Sequence, residues 1–154
     1  QFDEIKKIGN VKIEDGKEIY FGSIADISGD KLAYGSWEKQ VLKCENIFYL
    51  IRADKIMGGD QATNQRVNED LTMINKWLKS NKKPQSISII GLHRDKITIS
   101  SKESQWGEFR NLVIEYAQIL NSNSNSPVGI FLGSLKNKES AEKLLNDIFR
   151  KGKS

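Results

Sequence analysis

The sequence SISIIGLHRDK, from Ser86 to Lys96, predicts the fold of this chain. Its first part, up to Leu92, is a short apolar run rich in isoleucine, which is typical of a strand buried on both faces of a parallel sheet. Four polar or charged residues follow directly, with no glycine, proline or asparagine to form a turn. Because ligands of open α/β sheets bind beyond the carboxyl ends of the strands, we expect this polar tail to face a ligand crevice.

Further apolar runs alternate with segments in which apolar residues recur at helical spacing. Short continuous runs indicate buried strands, and the helical spacing indicates amphipathic helices. The predicted elements, in chain order, are helix 37–44, strand 46–52, helix 61–79, strand 87–92, helix 103–120, strand 128–132 and a last helix capped by Asn137. The alternation predicts an α/β fold with a mainly parallel sheet that is covered by helices on both faces.

The first quarter of the chain has a different pattern. Residues 5–13 alternate loosely between apolar and polar, and Asp15-Gly16 follows as a signal for a hairpin turn. Residues 18–26 then resemble a returning strand. The sequence therefore predicts an N-terminal antiparallel hairpin, and the 154 residues together fit one domain.

The rarer residue types exclude some classes of site. Cys44 is the only cysteine, so an intrachain disulfide is excluded, and we expect a small core residue in a cytoplasmic protein. His93 is the only histidine, which excludes zinc sites built on two or three histidines. Trp37, Trp77 and Trp106 fit the apolar faces of predicted helices, so we expect all three in the core.

The charge pattern favours an ordinary basic surface. The net charge is +4, but the lysines lie in small groups that do not alternate with aromatic residues, so a nucleic-acid partner is not expected. No apolar run approaches the ~18–20 residues of a membrane span. The low-complexity loop Asn121–Ser126 is expected to have no function of its own.

Several of the predicted strand ends resemble those of a P-loop GTPase of the Ras-like type. Asp26-Ile27-Ser28-Gly29 resembles the Asp-x-x-Gly motif at the start of that family's second switch. IFYLIRADK (47–55), the long helix and SISIIGLHRDK resemble the strand, helix and strand that lead to the guanine motif, Asn/Thr-Lys-x-Asp. GIFLGSLKNKESAEKLLNDIF (129–149) resembles the last strand, guanine loop and closing helix. The resemblance covers most of residues 5–150 and implies a nucleotide-dependent switch that binds GTP or GDP with magnesium.

The resemblance also implies a role for each matching residue. Asp95 would accept two hydrogen bonds from guanine, and the backbone N–H groups near Ser134 and Leu135 would meet the guanine oxygen. Asp26 would hold magnesium through water, and the N–H of Gly29 would contact the γ-phosphate. We therefore expect Asp26, Asp95 and Ser134 at one edge of the sheet.

The sequence departs from the family pattern in two respects. Leu92 and His93 stand in place of Asn/Thr and Lys, and Asp30 stands where many members keep a glutamine that positions the attacking water. Because aspartate cannot donate a hydrogen bond there, we expect at most weak intrinsic GTP hydrolysis. Residues 1–154 also contain no Gly-x-x-x-x-Gly-Lys-Ser/Thr phosphate loop. We expect them to be the C-terminal three-quarters of a larger domain, which a missing N-terminal segment or a protein partner completes.

The sequence is also compatible with other interpretations. The chain fits a non-catalytic pseudo-GTPase that serves as a protein-interaction module, or an unrelated doubly wound enzyme. Residues 25–30 (ADISGD) also resemble the metal-adhesion motif of von Willebrand A domains. At the residue level, Asp26 can cap a turn, Asp95 can pair with Arg94 or Lys96, and Ser134 can belong only to a turn. In the GTPase interpretation, Arg94 and Lys96 flank Asp95 and lower its pKa.

Overall fold

The computed structural model of the chain describes residues 2–12, 18–27, 34–98 and 100–151, the first two ranges as backbone only. Its elements are β1 (Phe2–Lys12), β2 (Glu18–Ile27), α1 (Tyr34–Lys43), β3 (Asn46–Arg52), α2 (Ala53–Met57), α3 (Gln61–Leu78), β4 (Ser86–Leu92), a 3₁₀ turn (Arg94–Lys96), α4 (Gln105–Asn121), β5 (Gly129–Leu132) and α5 (Lys138–Lys151). From α1 onwards, the predicted alternation of helices and strands is confirmed. None of the described helices is long and apolar enough to cross a membrane.

The sheet at the centre of the fold is parallel and has the strand order β3-β4-β5. β4 pairs with β3 from Asn46↔Ser86 to Arg52↔Leu92, and with β5 up to Gly91↔Leu132. Ile87, Ile89 and Ile90 are buried, as predicted for the central strand. Since all three strands point the same way, their carboxyl ends meet at one edge.

Helices cover the two faces of this sheet unequally. The larger core lies under α1, α2, α3 and α4 and receives Ile87 and Ile89 from β4. The smaller core lies under α5 and receives Ile90 from β4 together with Phe131 from β5. The alternation of side chains along β4 divides the core in this way, because successive residues of a strand point to opposite faces.

The N-terminal strands form a sheet of their own. β1 pairs antiparallel with β2 from Phe2↔Ile27 to Lys12↔Glu18, with an irregularity between Lys6 and Gly9. The predicted turn at Asp15-Gly16 lies outside the described residues. The structure therefore describes a strand pair, and a hairpin as such is not supported.

The residues that α4 buries differ in part from those predicted for the core. Trp106 is 40% exposed, and its indole Nε1 donates to the carbonyl of Ile130 at 3.3 Å. Leu112 and Ile119, whose spacing fits the apolar face of the predicted helix, are exposed. The helix buries a narrower stripe, formed by Gln105, Phe109, Val113, Ala117 and Leu120. Because each residue turns the helix by about 100°, Leu112 and Ile119 lie at the border of that stripe. Trp37 and Trp77 are buried as predicted.

The Asn/Ser segment after α4 is a structural connector. Asn123 is 8% exposed, and its side-chain N–H donates to Oδ1 of Asn75 on α3 at 2.6 Å. The backbone N–H of Asn125 donates to the carbonyl of Pro84, and the Asn121 side chain accepts from the N–H of Val128. These hydrogen bonds join α3, α4 and the segments before β4 and β5. Sequence complexity did not indicate this role.

Replacing Asn123 tests it. We expect Asn123→Ala to lower the free energy of unfolding by about 1–2 kcal/mol, because Asn75 loses its buried partner. Asn125→Ala is the matched control, because that side chain is exposed and the effect should stay within about 0.5 kcal/mol. Urea denaturation followed by circular dichroism measures both, and equal losses would contradict a specific role for Asn123.

Candidate functional site

Backbone hydrogen bonds continue beyond the ends of β4 and β5. The N–H of Gly133 donates to the carbonyl of Gly91 at 2.9 Å, and the N–H of Arg94 donates to the carbonyl of Gly133 at 3.0 Å. A Cβ on Gly91 would lie 2.7 Å from the ring of Phe109, so glycine allows α4 to approach the sheet here. The segments that follow the two strands are therefore held side by side.

His93 itself makes the turn that the sequence pattern lacked. Its φ of 63° and ψ of 35° are left-handed, and no other non-glycine residue in the described ranges has a positive φ. The 3₁₀ turn follows at once and is closed by the N–H of Lys96, which donates to the carbonyl of His93. Histidine is among the residues enriched in this conformation, although it is a weak turn signal in a sequence.

This turn brings Asp95 to Ser134, 39 positions later in the chain. The hydroxyl of Ser134 donates to Oδ1 of Asp95 at 2.7 Å and accepts from the N–H of Lys136 at 3.1 Å. Ser134 is 7% exposed, whereas Asp95 is exposed. A buried hydroxyl thus orients a solvent-facing carboxylate at the edge where a ligand is expected. The expected proximity of these two residues is present.

The pKa of Asp95 is lowered, as predicted, but by other groups than the predicted ones. Its pKa is lowered chiefly by the hydrogen bond from Ser134, with smaller contributions from its own backbone N–H, Lys136 and His93. The Arg94 guanidinium instead donates to Oε1 of Gln105 and to the carbonyl of Lys102, both at 3.0 Å. The predicted lowering of the pKa is therefore correct, and its attribution to Arg94 and Lys96 is wrong. Asp95 is an ionised acceptor at neutral pH.

A charged pair lies at the end of β3. Arg52 donates to both carboxylate oxygens of Asp54, at 2.9 and 2.7 Å. This pairing is the main cause that lowers the pKa of Asp54, and His93 contributes to a smaller extent. The sequence places both charges directly after a predicted strand, and the structure adds that they pair with each other. All three strand ends therefore carry polar side chains that can donate to or accept from a polar ligand.

The remaining predicted site residues have different positions. Asp26 is the second-last residue of β2, opposite Asp3, and its side chain lies outside what the structure describes. Gly29 also lies outside the described residues. Leu135 is 59% exposed beside Ser134. Within the described part of the chain, no group of three or more His, Cys, Asp or Glu residues could hold a metal ion. The magnesium role of Asp26 stays a prediction.

Comparison with known proteins leaves the function to be argued from this site. No protein-family model matches the sequence, and no curated protein matches it.

Removing the Ser134 hydroxyl tests its effect on Asp95. We expect Ser134→Ala to raise the pKa of Asp95 towards its ordinary value, since the hydrogen bond to the charged form is the largest stabilising contribution. Carbon-detected NMR titration of the carboxyl group measures the change. Ser122→Ala is the control, because that hydroxyl donates to the carbonyl of Ile119 at the end of α4. An unchanged pKa in Ser134→Ala would contradict the assignment.

Proposed function

We propose that this chain carries the base-recognition part of a GTPase-like, guanine-nucleotide-binding switch domain. The observation that carries the proposal is the exposed, ionised Asp95 carboxylate held by the buried hydroxyl of Ser134. Guanine presents two adjacent N–H donors along one edge, and a carboxylate of fixed orientation can accept both. Adenine has no such pair of donors, so it would leave the carboxylate without its hydrogen bonds, which is the stronger basis for discrimination.

The position of this contact supports the proposal. Asp95 follows the central strand, Ser134 follows its neighbour, and both lie where ligands of open parallel sheets bind. The resemblance to Ras-like GTPases requires the segment with Asp95 and the segment with Ser134 and Leu135 to meet around one base. The hydrogen bond between Asp95 and Ser134 supports this, because it holds the two segments side by side.

An edge strand with exposed apolar side chains supports the further proposal that another segment completes the domain. None of the described strands pairs with the outer edge of β3. On the α5 side of that strand, Phe48 is 42% exposed and Leu50 is 56% exposed, with Phe149 at 6.3 Å from the Phe48 ring. An apolar strand with a free edge invites pairing. A strand and helix that bring the phosphate loop, from a missing N-terminal segment or from a protein partner, would cover both features.

The completed domain would bind GTP or GDP with magnesium. Asp26, near the end of β2, has the carboxylate that magnesium prefers and would hold the ion through water. Hydrolysis would be weak, because Asp30 cannot act as the glutamine that positions water. The alternative is a pseudo-GTPase that keeps the fold as a protein-interaction module. The exposed Phe48 and Leu50 also suit that function.

Base preference can be tested on residues 1–154 with mononucleotides, which require no phosphate loop. In ¹⁵N-resolved NMR titrations, we expect millimolar GMP to shift the amide signals of Asp95, Ser134 and Leu135, and AMP to leave them in place. Asp95→Ala should abolish the response to GMP, because the acceptor is lost. Asp147→Ala on α5 is the matched control and should respond as the unaltered chain does. Equal responses to both nucleotides would refute guanine recognition.

The need for an external phosphate loop gives a separate prediction. Isothermal calorimetry of residues 1–154 with GTP and magnesium should give a dissociation constant weaker than the micromolar range, because backbone amides and a lysine normally carry phosphate binding. Affinity in the micromolar range or tighter would show that the chain already holds a complete site. That result would remove the need for another segment.

A further inference from the structure

A buried cluster around Asp70 lies apart from the proposed base site. Asp70 is 3% exposed and accepts hydrogen bonds from three side chains. The hydroxyl of Tyr34 donates to Oδ1 at 2.6 Å, Nε of Arg66 donates to the same oxygen at 2.7 Å, and the hydroxyl of Tyr49 donates to Oδ2 at 2.5 Å. The three donors belong to α1, α3 and β3. The Asp70 carboxylate, on α3, therefore joins both α1 and the edge strand β3 to α3.

Aromatic rings pack against the Arg66 guanidinium that binds this carboxylate. The Arg66 guanidinium lies 5.8 Å from the ring centroids of both Tyr34 and Trp37, within the range of a cation–π contact. Trp77 meets the edge of the Tyr34 ring at 5.9 Å, and Trp37 meets Tyr49 at 6.4 Å. Asp70 itself is buried, and low exposure to water strengthens hydrogen bonds to a charge.

Both tyrosines are donors at any physiological pH. Burial is the main cause that raises the pKa of Tyr34 to about 12, and the hydrogen bond to Asp70 adds to it. The pKa of Tyr49 is raised for the same reasons in the same order. Their hydroxyl protons are therefore available to Asp70 throughout the pH range in which the protein works.

α1 depends on these contacts more than a longer helix would. It has ten residues, fewer than an isolated helix needs for stability in water. Its buried residues are Trp37 and Val41, and the Tyr34 hydroxyl adds a hydrogen bond at its first residue. If α1 moved away from the core, Asp70 would lose the hydrogen bond from Tyr34. Arg66 would lose its contacts with the rings of Tyr34 and Trp37. The docked position of this helix is thus coupled to a buried charge.

We propose that the Asp70 cluster is a latch that keeps α1 docked in every ligand state of the domain. This inference rests on the proposed function, because α1 is the first described element after the segment that resembles the second switch. Elements that move in a switch come from the least stable parts of a fold, where opening costs little. α1 is fastened to the core at its first residue. A conformational change caused by bound nucleotide would therefore occur in an element other than α1.

Hydrogen exchange of residues 34–43, measured by mass spectrometry on the chain alone, tests the latch directly. We expect Asp70→Asn to speed exchange in α1 about tenfold or more, and Tyr34→Phe, which removes one donor and keeps the ring, to speed it several-fold, with α4 unchanged in both. Tyr116→Phe on α4 is the matched control for the loss of a hydroxyl. If Asp70→Asn does not fold, Tyr34→Phe decides, and unchanged exchange in α1 of that variant overturns the latch.

A second measurement uses residues 1–154 together with the segment or partner that supplies the phosphate loop, with GDP and with a non-hydrolysable GTP analogue, and calorimetry checks binding in the same samples. Exchange in α1 should be the same with both nucleotides, within about twofold. A larger difference overturns the latch while the proposed function stands. Absence of nucleotide binding refutes the proposed function, and the variants alone then decide on the latch.

Discussion

Parallel hydrogen bonding of β4 to both of its neighbours is the constraint on which the rest of this structure depends. It forces a helix between successive strands, because a parallel neighbour cannot be reached by a tight turn. It also places the ends of β3, β4 and β5 at one edge, where Asp54, Asp95 and Ser134 meet solvent or each other. Gly91, near the end of β4, has no side chain and so lets Phe109 pack α4 closely against the sheet.

Two carboxylates show how the fold uses similar groups in different ways. Asp70 is buried and receives three donors, so its charge is satisfied within the protein and serves to join elements. Asp95 is exposed and is oriented by a single hydroxyl, so its carboxylate faces solvent. Burial and the number of donors, rather than residue type, separate a structural acid from one that can bind a ligand.

Much of the architecture could be predicted because its signals are local. The strand 46–52, the helix around residues 61–79 and the buried run of β4 follow from periodicity within a few turns or residues. Periodicity was less informative for α4, where Leu112 and Ile119 fit the apolar pattern and yet lie exposed. A helix can carry a wider apolar stripe than its neighbours cover, and only the packing decides how much is buried.

The candidate site also has features that the sequence predicts and features that only the structure shows. Polar residues directly after apolar strands already indicate the edge where a ligand is proposed to bind, and Asp95 and Ser134 are visible there in the sequence. The turn at His93 and the pairing of Arg94 with Gln105 are not, since neither residue type has a preference strong enough to predict them.

The sequence by itself determined the α/β class, the parallel sheet and the polar strand ends, because hydrophobic periodicity acts over short distances along the chain. Only the tertiary structure decided which polar groups meet. Ser134 reaches Asp95 across 39 positions, and Tyr34 reaches Asp70 across 36, by way of strand pairing and helix packing. Contacts of that kind depend on how whole elements pack, and no short stretch of sequence contains that information.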